Sequence, residues 1–302
     1  MKIILVGQGP FGEKVLDTLI RQGEDIVGVF CPQDKRGQAM AATAENSGVA
    51  LFRPAKMKDG EVREAYLDLS PDLAILAFVT DLIPEALLDI PPIGTICYHP
   101  SLLPRHRGAS GINWAVIQGD THTGLTILWV DKGIDTGPIL LQKEVEILPD
   151  DTTGSIYFNK LFEMGIDAIV ESVALIKSGK APKLPQDDSL ATYEPPCDDR
   201  VAAVDWSKPA SDVYNLIRGC DPQPGAYSTI KGSKVRFYGA RLLGPMAGTE
   251  PGEIVEIKEG GVVVALKGGA LGIGKIRDQA GSKMGAGEFA KNAGLEPGMK
   301  FA

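Results

Sequence analysis

The chain has 302 residues, 44% of them hydrophobic and 23% charged, with a formal net charge of −8. That length favours one large domain with a smaller companion, and the composition is that of an ordinary globular protein able to bury its own core. The acidic balance argues against nucleic acid as the main partner, because phosphate recognition needs a basic face.

The opening MKIILVGQGP reaches glycine too soon for a secretory signal and reads as a first strand. No run approaches the ~18 apolar residues of a membrane span. Cys31, Cys97, Cys197 and Cys220 are scattered and form neither a CxxC pair nor a disulfide framework. A cytoplasmic location without membrane contact is the expectation.

In chain order, Lys2–Val6 predicts a strand and Phe11–Arg21 a helix, with Leu16, Leu19 and Ile20 at helical spacing. Asp25–Phe30 predicts a second strand, Gln38–Ser47 a helix, and the apolar runs Leu73–Phe78 and Thr95–Tyr98 two more strands. Strands follow at Thr123–Val130 and Pro138–Glu146, then one long helix from Thr153 to Ser178. This alternation predicts an α/β fold: a Rossmann-like, mostly parallel sheet with helices on both faces. Residues 179–203 are rich in proline and charge without periodicity, which reads as a linker draped over the first domain. A helix at Ala210–Arg218 precedes short strands at 226–230, 235–240, 254–258, 262–266 and 271–276, and a last helix at Gly287–Asn292. That spacing predicts a smaller β-barrel-like (OB-like) domain over 204–302, after a first domain over 1–203.

Three motifs carry chemistry. Gly7-Gln8-Gly9-Pro10-Phe11-Gly12 follows a strand and opens a helix, the setting of a dinucleotide cradle. The acid such a site wants after the second strand comes late, as Asp34 behind a proline, so a tight packing turn is the preferred reading. A nicotinamide-binding oxidoreductase stays as an alternative. Next, His99 follows a strand at the end where open α/β sheets place their crevice, and Pro100 and Pro104 stiffen its loop. The three histidines lack metal-ligand spacing, so no metal is expected. Finally, Asp135 lies between Gly133 and Gly137 in a turn joining two strands. Brought near His99, its carboxylate would fix the imidazole tautomer and suit acid–base chemistry.

The runs HPSLLPRHRGASGINWAVIQGD and TGLTILWVDKGIDTGPILLQ resemble the core signature of the folate-dependent formyltransferase family, and VDWSKPASDVYNLIRGCDPQPGAY resembles its second-domain entry. The glycinamide ribonucleotide branch lacks such a second domain. Where the transferases carry asparagine two residues before the histidine, this chain carries Cys97, and YHPSLLPRHRGAS with INW looks more like the N-terminal hydrolase domain of 10-formyltetrahydrofolate dehydrogenase. The methionyl-tRNA branch uses a basic loop after the second strand; here CPQDKRGQAM offers only Lys35 and Arg36, so tRNA is not the expected partner.

The resemblance implies an enzyme that removes the formyl group of 10-formyltetrahydrofolate, by hydrolysis or by transfer to a small amine. His99 and Asp135 would be catalytic, with Cys97 and Ser101 in the formyl pocket. Phe78, Asp81, Leu82 and Ile83 would contact folate, with core packing the alternative for Leu82 and Ile83. Arg107 would either meet an acceptor phosphate or folate carboxylate, or brace its loop. The acceptor and the oligomeric state stay open.

Overall fold

The computed structural model describes residues 1–246 and 248–302. In chain order its first elements are β1 (Lys2–Gly7), α1 (Gly9–Arg21), β2 (Asp25–Phe30), α2 (Gln38–Asn46), β3 (Leu51–Phe52), α3 (Gly60–Leu69), β4 (Leu73–Ala77) and α4 (Glu85–Leu88). There follow β5 (Gly94–His99), β6 (Arg107–Gly108), α5 (Gly111–Ile117), β7 (His122–Trp129), β8 (Ile139–Glu146), α6 (Thr153–Ile156), α7 (Phe162–Lys177) and β9 (Tyr193–Glu194). The last are α8 (Ala210–Gly219), β10 (Tyr227–Ile230), β11 (Ser233–Leu243), β12 (Ile254–Lys258), β13 (Gly261–Leu266), β14 (Gly269–Arg277), β15 (Lys283–Gly285) and α9 (Ala286–Asn292). Two compact units result: Met1–Gly108 with Gly124–Glu144 and Asn159–Tyr193, and Ala109–Thr123 with Val145–Phe158 and Glu194–Ala302.

The first unit is built on a seven-stranded sheet in the order β3-β2-β1-β4-β5-β7-β8. Strands β1 to β5 pair in parallel and β7 runs antiparallel to β5. Successive strand residues point to opposite faces, so β1 and β4 feed two cores. Ile3, Leu5, Ile75 and Ala77 pack with α1, α2 and α7, while Ile4, Val6, Ala74 and Leu76 pack with α3 and α4. Helices therefore cover both faces, as the apolar runs predict. Each fully buried leucine or isoleucine contributes about 1.5–3 kcal/mol to that core.

The glycine motif is a packing turn. A Cβ on Gly7 would lie 2.8 Å from the Ala77 carbonyl oxygen, and one on Gly12 would lie 3.2 Å from Gly7 C. Gly9 takes the left-handed φ of +64° that starts the helix.

Two of the expected elements are changed, and the shorter α4, α5, β3, β6, β9 and β15 and the helix α3 were not expected. The strand Leu73–Phe78 stops at Ala77, because Phe78 turns into the left-handed region at φ 62° and leaves the ladder. The helix Thr153–Ser178 is interrupted by a π-turn at Tyr157–Leu161. Its buried Ile156 and Leu161 are five residues apart, a spacing that suits the wider π-turn better than the 3.6-residue α repeat.

In the second unit the antiparallel strands run β10-β11-β14-β13-β12, with β15 on β14. Val213, Tyr214 and Ile217 of α8 and Phe289 and Ala290 of α9 share its core. At its centre Phe301 meets Phe237 edge-on at 5.2 Å and stacks on Trp206 at 5.7 Å. Among the described residues no helix is long and apolar enough to cross a membrane.

Candidate functional site

The site is built at the carboxyl end of β5. The parallel pairing of β4 with β5 ends at Leu76↔Cys97, two residues before His99, and on the other side His99 pairs with Thr126. Ligand crevices of open α/β sheets lie at this edge.

The loop after His99 is folded back by hydrogen bonds to β7 and β8. Thr126 Oγ1 donates to the Ser101 carbonyl at 2.7 Å and accepts from the Leu103 amide at 3.2 Å. Gln142 Nε2 donates to Leu103 O and to Thr126 Oγ1, each at 2.9 Å. Ser101 Oγ donates within the loop to Arg105 O at 2.8 Å. The folded loop brings the His106 carbonyl 2.8 Å from His99 Nε2. A carbonyl only accepts, so Nε2 carries a hydrogen, and Nδ1 is the nitrogen turned to the next group.

That group is Asp135. Asp131 Oδ1 closes its turn by accepting from the Gly133 amide at 3.0 Å and from Thr136 Oγ1 at 2.6 Å. Asp135 sits inside at φ 56°, a conformation aspartate tolerates better than most residues. Its Oδ2 lies 3.5 Å from His99 Nδ1 and accepts from the Gly108 amide at 2.8 Å. His99 is only 6% exposed, so the pair meets largely away from water. Oδ1 carries no hydrogen bond among the described residues, leaving it able to accept from a water.

Cys97 is partly buried and packs against the core face formed with α3 and α4. Its thiol donates to Tyr98 O at 3.5 Å. Burial first, and the negative charge of Asp135 second, push that thiol's pKa up. The raised pKa leaves the thiol protonated near neutral pH.

The loop after β4 is open. Phe78 keeps a ring contact with Phe11 at 6.3 Å, Asp81 is exposed, and Leu82 is 77% exposed. Leu82 is thus no core residue, whereas Ile83 packs on the same core face as Cys97. Arg107, buried to 3% exposure, commits its guanidinium inside the protein: to Gln186 Oε1 at 2.8 and 3.1 Å and to Asp188 Oδ1 at 2.7 Å. Among the described residues no group of three or more His, Cys, Asp or Glu side chains could hold a metal ion.

Sequence reasoning missed the strap that ties these loops together. Gln186 Nε2 donates to the carbonyls of Asp135 and Gly137 at 2.8 and 2.7 Å. Tyr193 Oη donates to Ile134 O at 2.9 Å, and Thr192 Oγ1 accepts from the His106 amide at 2.8 Å. The segment has no periodicity, and nothing in its composition distinguishes these residues from a solvated linker.

Residues 1–173 match the formyl transferase family, and residues 198–294 match the formyl transferase C-terminal domain. The chain belongs to the formyl transferase family. Among its relatives, the mitochondrial 10-formyltetrahydrofolate dehydrogenase of Mus musculus is 45% identical over 87% of this chain and 29% of its own length. The cytosolic 10-formyltetrahydrofolate dehydrogenase of Xenopus tropicalis is 40% identical over 97% of this chain and 34% of its own length. The chain thus spans about a third of these relatives. The methionyl-tRNA formyltransferase of Geotalea daltonii is 35% identical over all of this chain and 98% of its own length. The formyl transferase fold is shared with HypX from Aquifex aeolicus in complex with tetrahydrofolic acid, at TM-score 0.71 and 20% identity over 96% of this chain and 47% of HypX.

Proposed function

We propose that this chain removes the formyl group of 10-formyltetrahydrofolate, by hydrolysis to tetrahydrofolate and formate or by passing it to a small amine. The observation that carries the reading is the His99–Asp135 pair, 3.5 Å apart at the carboxyl edge of β5, in a chain of the formyl transferase family. The 10-formyltetrahydrofolate dehydrogenases, 45% and 40% identical, support the donor.

The chemistry follows from the atoms present. Asp135 Oδ1 takes a proton from the attacking water or amine as its oxygen or nitrogen bonds to the formyl carbon. The formyl oxygen becomes an oxyanion, and His99 Nδ1 is the donor on that side. Because Nε2–H is spent on the His106 carbonyl, donation from Nδ1 requires the doubly protonated ring. Collapse breaks the bond from the formyl carbon to N10, which takes up the proton that Asp135 removed from the nucleophile, releasing tetrahydrofolate with formate or the formylated amine and restoring the carboxylate. Cys97 lines the formyl pocket with Ser101 supporting its loop, and the loop Phe78 to Ile83, exposed at Phe78, Asp81 and Leu82, offers a slot for the pterin. The buried guanidinium of Arg107, bonded through Nε and Nη2 to Gln186 and Asp188, supports a bracing role for it.

A second reading, methionyl-tRNA formylation, is favoured by the near full-length match to the Geotalea daltonii enzyme. Against it stand the net charge of −8 and a loop with only Lys35 and Arg36 as cations, Arg36 being paired with Asp34 at 2.9 Å. The experiment is incubation with 10-formyltetrahydrofolate and no acceptor, following formate. Release at catalytic rates supports hydrolysis; none without an amine, but turnover with one, supports transfer; and no turnover with any acceptor, tRNA included, rejects formyl removal.

A further inference from the structure

We propose that Gln186 is a positioning residue for the formyl reaction, holding the Asp135 carboxylate at His99 without touching substrate. The inference rests on the reading of Asp135 given above. Asp135 sits at φ 56°, so where its carboxylate points depends on a turn that its own backbone preference does not secure. Gln186 spans that turn, donating from Nε2 to Asp135 O at 2.8 Å and Gly137 O at 2.7 Å. Its Oε1 accepts from Arg107 Nε and Nη2 at 3.1 and 2.8 Å. Gly108, next in the chain, gives its amide to Asp135 Oδ2 at 2.8 Å.

The connections close into a ring: amide of Gln186, backbone of Asp135, carboxylate of Asp135, amide of Gly108, side chain of Arg107, and back to Gln186. Both Nε2 hydrogens and the Oε1 lone pairs are used within it, so Gln186 has no polar group left for a ligand. Arg107 is held a second time by Asp188, and Tyr193 secures Ile134 one residue ahead of Asp135. One planar side chain thus fixes both the backbone that carries the carboxylate and the strand residue beside its hydrogen-bond donor. A 1 Å misplacement of a reacting group can cost about 10²-fold in rate.

The test is Gln186→Glu, which keeps the shape and the Arg107 partner but sets an oxygen against two carbonyls. The expected result is a fall in kcat of about 10- to 100-fold with KM for 10-formyltetrahydrofolate within about twofold. Gln186→Met, of similar length without donors, should lose kcat in the same direction and serves if the glutamate variant does not fold. In an Asp135→Asn background, Gln186→Glu should cause no further loss, because the group it positions is already gone. Full kcat in a folded Gln186→Glu, or losses that simply multiply in the double variant, overturns the inference. If Asp135→Asn alone keeps full activity, the reading of Asp135 fails first and the inference goes with it.

Discussion

His99 has its two ring nitrogens divided between tasks, Nε2 to the His106 carbonyl at 2.8 Å and Nδ1 to the Asp135 side at 3.5 Å. Replacing it by alanine removes the donor proposed for the formyl oxygen, and turnover should fall about 10²–10³-fold while tetrahydrofolate binding persists. Steady-state kinetics beside a folate titration check this; loss of binding instead would make His99 a ligand contact. Cys97 gives the opposite expectation. Burial first and the Asp135 charge second raise its pKa, which disfavours the thiolate at neutral pH. Cys97→Ala should hold turnover within about threefold, since no covalent step is asked of it; a dead variant that still binds folate would make the thiol part of the chemistry. At this scale the legible residues were those marked by backbone punctuation: a histidine at a strand end before prolines, and an aspartate between turn glycines. Gln186 and Thr192 were not legible, because hydrogen bonds to groups distant in the chain leave no periodic or compositional trace.

The elements that carry the site were mostly readable because the sheet is buried on both faces and its strands are unbroken apolar runs. Where two local rules compete the sequence is mute. Phe78 continues an apolar run but turns to φ 62°, and the long helix keeps its apolar positions only by widening to a π-turn at Tyr157–Leu161. Short α5 was hidden in the signature itself: Asn113 donates to Gly219 O at 2.7 Å and Trp114 to Pro195 O at 2.7 Å, so part of that signature serves architecture. The glycine turn between β1 and α1 gives the prediction at this level. Gly7→Ala would drive a Cβ to 2.8 Å from the Ala77 carbonyl, with the Gly12 backbone behind it. It should cost about 1–3 kcal/mol of stability, seen as a lower denaturant midpoint at unchanged m-value. An unchanged midpoint would mean that β1 and α1 are packed less tightly than the geometry says.

At the scale of the whole molecule, a net charge of −8 and the Asp34–Arg36 pair leave little for polyanion attraction. Binding of tRNA should be weak, with an apparent affinity no tighter than the ~10⁻⁴–10⁻⁶ M of non-specific nucleic-acid contacts. Tight binding that weakens steeply with added salt would favour the tRNA reading. The measurement that reaches the central claim most directly is acceptor-free turnover of 10-formyltetrahydrofolate by the wild-type chain, His99→Ala and Asp135→Asn, with tetrahydrofolate affinity measured on each. Expected are formate release by the wild type, a loss of about 10²-fold or more in both variants, and affinities that stay close to wild type. Variants that bind folate and release formate as fast as the wild type would show that the His99–Asp135 pair does not carry the reaction.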